Sequence, residues 1–303
     1  MASASGRDRP SLNDELRSRA YRFDFFQAVR LLERLVGEPT GPEIGCPRRP
    51  VGEDFPPEHL ALLKSRNIDT AGLQVVKGGK TFYWKGKYLA NMNDRETLDL
   101  QLNVLADFKP ELPETYRRCK FLFLANGSPK LQMQVLEQCP GASLVVADTM
   151  DFYINTEPAE LRTLLKKIDG VVLNDSEAKL LTGIDNLVRA GHAIRALGPR
   201  FVVIKKGEHG AMFFSEFETY VLPAFPTAQV VDPTGAGDSF AGGMMGYLAE
   251  QNNFEPKTLK EAMAYGTLVA SFTVEDFSLD RLRQIGREDL DRRMEEYKRM
   301  LSF

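Results

Sequence analysis

The segment Val230-Val-Asp-Pro-Thr-Gly-Ala-Gly-Asp-Ser-Phe-Ala-Gly-Gly243 holds the residues best suited to chemistry. Two β-branched residues lead into a glycine-bearing turn. The turn opens a helix expected from Ser239 to about Glu250, in which Phe240, Met244 and Leu248 recur at i, i+4 and i+8. Gly235 and Gly237 allow positive φ angles and a close approach of backbone to a ligand. Free N–H groups of a first helical turn point outward and carry the positive end of the helix dipole, a natural anion hole for a phosphate in transfer. Asp238 sits at the same helix start, where the dipole favours its ionised form. A carboxylate so placed can accept a hydroxyl proton as that oxygen attacks phosphorus. A lone G-x-G-D reads as a turn and a helix cap; the complete run D-P-T-G-A-G-D-S-F-A-G-G is far more specific.

Two further places carry polar residues at the ends of apolar runs. Val171-Val-Leu-Asn-Asp-Ser-Glu177 is a buried strand ending in N-x-x-E. Taken alone it reads as a strand-end Asn followed by a helix-capping Glu. Val202-Val-Ile-Lys-Lys-Gly-Glu-His-Gly-Ala211 is a strand followed by a glycine turn, and by itself it fits a hairpin with solvated lysines equally well.

These residues need a scaffold, and the chain supplies the pattern of one. Short apolar runs at 121–125, 143–147, 170–173 and 201–204 alternate with stretches of helical period at 129–138, 158–168 and 186–197. Buried strands alternating with helices predict a parallel α/β sheet covered on both faces. Ala211-Met-Phe-Phe214 and Thr219-Tyr-Val-Leu222 predict a hairpin. A second hairpin is predicted around Gly78-Gly79, between Leu73-Gln-Val-Val76 and Thr81-Phe-Tyr-Trp-Lys-Gly-Lys-Tyr88. Helices are expected over 56–66, 238–250, 258–273 and 287–301. Ahead of all this, residues 1–10 are small and polar and are expected to be disordered. Residues 12–36 have helical period, with Phe25, Val29, Leu32 and Val36 on one stripe, and the Gly/Pro-rich stretch 37–50 reads as a connector.

With 303 residues, one large domain or two small ones are possible, and either buries a sizeable core. The 39 basic and 42 acidic residues leave a net charge of -3, no basis for bulk nucleic-acid binding. No apolar run approaches the length of a membrane helix. Cys46, Cys119 and Cys139 include no C-x-x-C pair, which argues against a disulfide framework or a thiolate zinc site. A reducing cytoplasm is the simplest compartment, and the N-terminus lacks the apolar core of a signal peptide. His59, His192 and His209 are scattered and read as surface or packing residues.

On the D-P-T-G-A-G-D-S-F-A-G-G run the chain closely resembles the PfkB (ribokinase-like) family of carbohydrate and nucleoside kinases. The resemblance covers about residues 51–303 and includes Val51-Gly-Glu-Asp54, which looks like the family's V-G-x-D segment. It implies a ribokinase-like three-layer α/β sandwich with a mostly parallel sheet and a small β lid. It also implies ATP-dependent phosphoryl transfer to a hydroxyl of a sugar or related small alcohol, including nucleoside-like acceptors. By resemblance Asp238 is the catalytic base and Gly235, Ala236 and Gly237 form the anion hole. Asn174 and Glu177 organise the phosphates and the Mg²⁺ hydration shell. Lys205, Gly207 and Gly210, with Thr234, lie near the phosphates and ribose. Ala264 and Ser271 stand on the helix beside the adenine pocket, with the loop Phe272 to Ser278 closing it. Asp232 matches the Asp that, with this loop, holds a monovalent cation such as K⁺ in many members. Tyr83, Trp84 and Asn93 fall where members build part of the lid and sugar pocket, though hairpin aromatics packing together is an equal reading. Many relatives pair through the lid, so a homodimer is an open alternative.

The pattern breaks at the N-terminus. Family members open with an apolar strand ending in Asp and a Gly-Gly pair that grip the acceptor, and nothing before Val51 matches. In that place Arg19-Ala-Tyr-Arg-Phe-Asp-Phe-Phe-Gln-Ala-Val-Arg-Leu-Leu-Glu-Arg-Leu35 resembles the N-terminus of TssG, a baseplate protein of bacterial type VI secretion; an unrelated amphipathic helix is the alternative. The chain reads as a foreign segment, 1–50, joined to an N-terminally truncated kinase body, 51–303. The expectation is a largely intact nucleotide half, a damaged substrate half and, unless the new helix covers the gap, strand edges and apolar faces exposed where a strand is lost. Two other functions stay open: nucleotide binding without turnover, and a structural role in a secretion baseplate.

Overall fold

The computed structural model describes residues 20–21, 49–66, 68–89, 92 and 95–302. In chain order, the first elements are β1 (Ala20–Tyr21), β2 (Arg49–Gly52), α1 (Pro57–Ser65), β3 (Leu73–Val76), β4 (Tyr83–Tyr88) and β5 (Arg95–Gln101). The α/β body follows: β6 (Phe121–Leu124), α2 (Pro129–Glu137), β7 (Leu144–Asp148), α3 (Asp151–Thr156), α4 (Pro158–Leu165), β8 (Gly170–Asn174), α5 (Asp175–Thr182), α6 (Leu187–Arg195), β9 (Phe201–Lys205), β10 (Ala211–Phe214) and β11 (Thr219–Leu222). Four helices close the chain: α7 (Ala236–Gln251), α8 (Pro256–Thr273), α9 (Asp280–Gln284) and α10 (Arg287–Leu301).

The apolar runs pair in the order β11-β10-β9-β8-β7-β6. Strands β6 to β9 are parallel, and β10 and β11 are antiparallel additions at one edge. Side chains alternate across a pleated strand, so each run feeds two layers. Leu122, Val145, Leu173 and Ile204 pack with Val135, Leu161, Ala178 and Ile194 of α2, α4, α5 and α6. Phe123, Val146, Val172 and Val203 pack on the other face with Met244, Val269 and Met294 of α7, α8 and α10. This is the expected three-layer α/β sandwich with a mostly parallel sheet. No helix of the described residues is long and apolar enough to cross a membrane.

Several expectations fail in the small sheets. The hairpin around Gly78-Gly79 does not form. Strand β3 instead pairs in parallel with β2, Val51 opposite Val75. Strand β4 pairs antiparallel with β5, a segment whose polar Arg-Glu-Thr-Leu-Asp-Leu-Gln sequence gave little strand signal. The cause is non-local: a parallel partner 20 or more positions away cannot be read from a local turn. Of the predicted helix 12–36 only Ala20 and Tyr21 are described, and they are extended, pairing with Lys85 and Trp84 of β4. The remainder of residues 1–48, the TssG-like stretch and Cys46 included, lies outside the described residues, as does Asn93. Strand β2 runs through positions 50 and 51.

Among the described residues no strand pairs with the outer edge of β6. The predicted exposure of its faces is nonetheless corrected: Phe121, Leu122, Phe123 and Leu124 are all buried, and Leu63 and Ile68 from α1 and the turn after it join the cluster that holds Phe121 and Phe123.

Candidate active site

Three parallel strands end at one edge of the body. Strand β7 ends at Asp148, β8 at Asn174 and β9 at Lys205, and Asn174 lies directly opposite Lys205 in register. Ligands in open α/β sheets bind outside the carboxyl ends of the strands. Helix α7 begins at the same corner. Gly235, its N-cap, is left-handed at φ +81°, a conformation costly for a side chain with Cβ. Asp238 and Ser239 in the first turn are buried.

The glycine turn and strand β9 meet closely. A Cβ on Gly237 would stand 2.9 Å from Lys205 Nζ, so the ammonium lies against the backbone of the α7 first turn. Lys205 Nζ also pairs with Asp148 Oδ2 at 3.5 Å. Burial disfavours that ammonium, but the negative charges of Asp148, Glu177 and Asp238 favour it and outweigh the burial, and its pKa is raised above the ordinary lysine value. One cation, three carboxylates and the positive end of a helix thus share one buried corner.

Asn174 and Glu177 are locked to each other. The Glu177 amide donates to Asn174 Oδ1 at 2.8 Å and the Asn174 amide donates to Glu177 Oε2 at 2.7 Å, a capping box that starts α5. The local reading of N-x-x-E is therefore realised, and the same fold carries both side chains to the corner that holds Lys205.

Asp232 clasps two loops. It accepts from the Thr234 amide at 3.0 Å through Oδ1 and from the Ser278 amide at 3.3 Å through Oδ2. Val231 N donates to Val274 O at 2.8 Å, fixing the 231–234 turn beside the 274–278 loop. Thr234 Oγ1 reaches Tyr88 OH of β4 at 3.1 Å. Among the described residues no group of three or more His, Cys, Asp or Glu side chains is arranged to hold a metal ion, so Glu177 and Asp232 do not share such a cluster.

The remaining positions are more dispersed. Gly207 and Gly210 bracket the turn between β9 and β10, where Lys206 N donates to Gly210 O at 2.7 Å. Ala264 packs at the margin of the α7–α8 core. Ser271 is buried, its Oγ donating to Leu268 O at 2.6 Å and receiving Arg293 at 2.9 Å. Its hydroxyl is thus engaged between α8 and α10. Trp84 donates to Thr97 Oγ1 across the β4–β5 pair. Asp54 of the V-G-x-D segment accepts from both the amide and the hydroxyl of Thr81 at 2.7 Å, a structural clasp.

Sequence reasoning missed Asp148. The signal was present as an apolar run closing in a carboxylate, Leu144-Val-Val-Ala-Asp148, but such an ending is generic until the strand order brings it beside Lys205.

A buried acid and a lysine at a glycine-opened helix N-terminus, on the carboxyl edge of a parallel sheet, form the kind of corner where α/β proteins bind anionic ligands. The chain belongs to the pfkB family of carbohydrate kinases, which it matches over residues 49–282. It is 30% identical to a cytidine kinase of Thermococcus kodakarensis over 211 residues, 68% of this chain and 74% of that protein. Among solved structures it is similar to a nucleoside kinase of Burkholderia thailandensis in complex with inosine, with TM-score 0.68, 18% identity and coverage of 90% of this chain and 86% of that one. A putative ribokinase II from E. coli in complex with ATP and Mg²⁺ matches with TM-score 0.70 and 19% identity, over 89% of this chain and 87% of that one. Both structural likenesses establish the ribokinase-like fold.

Proposed function

We propose that this protein transfers the γ-phosphoryl group of ATP to a hydroxyl of a sugar or nucleoside. The observation that carries the reading is the meeting of Lys205 with the Gly235–Gly237 turn, with Asp238 in the field of the same ammonium. In this reading Asp238 takes the acceptor's proton as its oxygen attacks phosphorus. The first-turn amides of Gly235, Ala236 and Gly237 receive the charge of the migrating group, and Lys205 neutralises a phosphate. Asn174, Gly207, Gly210 and Thr234 border the phosphates and ribose; Ala264 and Ser271 stand on the helix beside the base. The same reading assigns residues 51–303 to the kinase body and 1–50 to an added segment.

The corner fits a Mg²⁺–nucleotide, because its carboxylates outnumber its single ammonium and hard divalent ions take oxygen ligands and water. Glu177 and its neighbours would face the ion's hydration shell, and the bound ion supplies neutralisation at the phosphate oxygens. The fit of a monovalent cation at Asp232 is poorer. Both its oxygens accept backbone amides.

The test is ADP release with a panel of sugars and nucleosides, cytidine and ribose included, for the wild type and Asp238→Ala. Acceptor-dependent ADP release that falls by about 10²–10⁴ in the variant, the usual worth of a general base, supports the assignment. Equal turnover in the variant refutes the role of Asp238. Thermal stabilisation by ATP with no product from any acceptor would make the protein a nucleotide binder without turnover.

A further inference from the structure

Lys205 stands at the end of a chain of polar contacts that starts at α2. Gln132 of α2, only 4% exposed, directs Nε2 to the carbonyls of Leu124 at 2.8 Å, Ala125 at 3.0 Å and Asp148 at 2.9 Å. Those contacts tie together the carboxyl ends of β6 and β7. Asp148, 3% exposed, is held further by the Thr149 amide, which donates to Oδ1 at 2.8 Å. Its Oδ2 then faces Lys205 Nζ across the end of β8, and Nζ lies against Gly237.

We propose that Asp148 is a positioning residue that pins the Lys205 ammonium against the Gly237 backbone and so gives the glycine turn its hold on a phosphate. The inference rests on the phosphoryl-transfer reading above, and it assigns a duty to a residue outside the glycine turn. A free lysine side chain has four rotatable bonds, and ordering it costs side-chain entropy. Asp148 meets that cost during folding, before a ligand arrives. A buried ion pair adds little net stability over apolar packing of the same volume, so its value here lies in placement. The opposite expectation is equally physical: a carboxylate close to a polyanion repels it, and removing Asp148 would then tighten binding. The sign of the effect therefore separates the two.

The experiment titrates the full chain with Mg·ATP by calorimetry in wild type, Asp148→Asn, Lys205→Met and the double variant. Asp148→Asn is expected to weaken binding on the order of tenfold, with no further loss when Lys205 is already Met, as contacting residues couple. A residue that merely supports the fold loses the same factor in both backgrounds, and that result, or unchanged or tighter binding in Asp148→Asn, overturns the proposal. Crystal structures of wild type and Asp148→Asn give an answer that needs no nucleotide. Lys205 Nζ leaving Gly237 supports the proposal, and Nζ staying there overturns it. If the Asn variant does not fold, Gly237→Ala, which pushes Nζ off the turn while keeping Asp148, must weaken Mg·ATP binding to a similar extent, and unchanged binding overturns the proposal. A wild type that binds no Mg·ATP sinks the phosphoryl-transfer reading instead, and the two crystal structures still judge the pinning.

Discussion

The Thr234 hydroxyl donates to the Tyr88 phenol oxygen at 3.1 Å, so strand β4 of the small sheet is tied to the turn that opens α7. The two residues are 146 positions apart. The small sheet thereby touches the glycine turn directly. Tyr88→Phe keeps the ring and removes the oxygen. The expected stability loss is small, about 0.5–1.5 kcal/mol for one hydrogen bond. The expected kinetic effect is a several-fold rise in the acceptor's KM with kcat little changed, read from steady-state rates on the best acceptor of the panel.

Asn174 has two duties that substitutions can separate. As N-cap of α5 it accepts the Glu177 amide, and Asn174→Ala is expected to cost about 1 kcal/mol in denaturant unfolding. Asn174→Ser keeps a capping oxygen and most of that stability. If Asn174 also faces the nucleotide, both variants weaken Mg·ATP binding although only Ala destabilises the fold. Binding that follows stability alone would limit Asn174 to the cap.

Gly237 is spared a positive φ, unlike Gly235. Gly237→Ala is therefore compatible with the helix, and Ala is favoured over Gly there by up to about 1 kcal/mol. The new Cβ meets the flexible end of Lys205, which can move aside. The expected result is unchanged or raised unfolding stability together with Mg·ATP binding weakened on the order of tenfold, the same coupling scale as for its neighbour. Loss of both together would show that the turn itself had been broken.

The raised pKa of Lys205 fixes the sign of a pH effect. Burial opposes the ammonium, but Asp148, Glu177 and Asp238 outweigh it. A group with a raised folded pKa stabilises the protein fully below its unfolded value and loses that contribution as pH climbs through the folded value. The stability difference between wild type and Lys205→Met is thus expected to be flat below 10.5, the ordinary lysine value, and to shrink above it. Unfolding curves at increasing alkaline pH measure it; a difference that widens instead would contradict the ion cluster.

Much of the body was legible in the chain. Phe121–Leu124, Leu144–Asp148, Gly170–Asn174 and Phe201–Lys205 are apolar runs too short for helices, and each is a buried parallel strand. The D-P-T-G-A-G-D turn was legible because a left-handed Gly235 and the start of α7 are local events. The small sheets were not. β3 finds its partner at Arg49–Gly52, and β4 finds one in the polar Arg95–Gln101, pairings that no local period records. Ser271 illustrates a different loss. Its small size was readable, but its engagement by Arg293 depends on how α10 crosses α8.

The sequence by itself determined the alternation of strands and helices, the glycine turn and the identity of its acid, because these follow from backbone propensities and side-chain period over a few residues. Only the tertiary structure decided that Asp148, Glu177 and Asp238 converge on one ammonium and that Tyr88 reaches Thr234. Such meetings are set by strand order and by the packing of helices on a sheet, and the energies that fix them act between residues far apart in the chain.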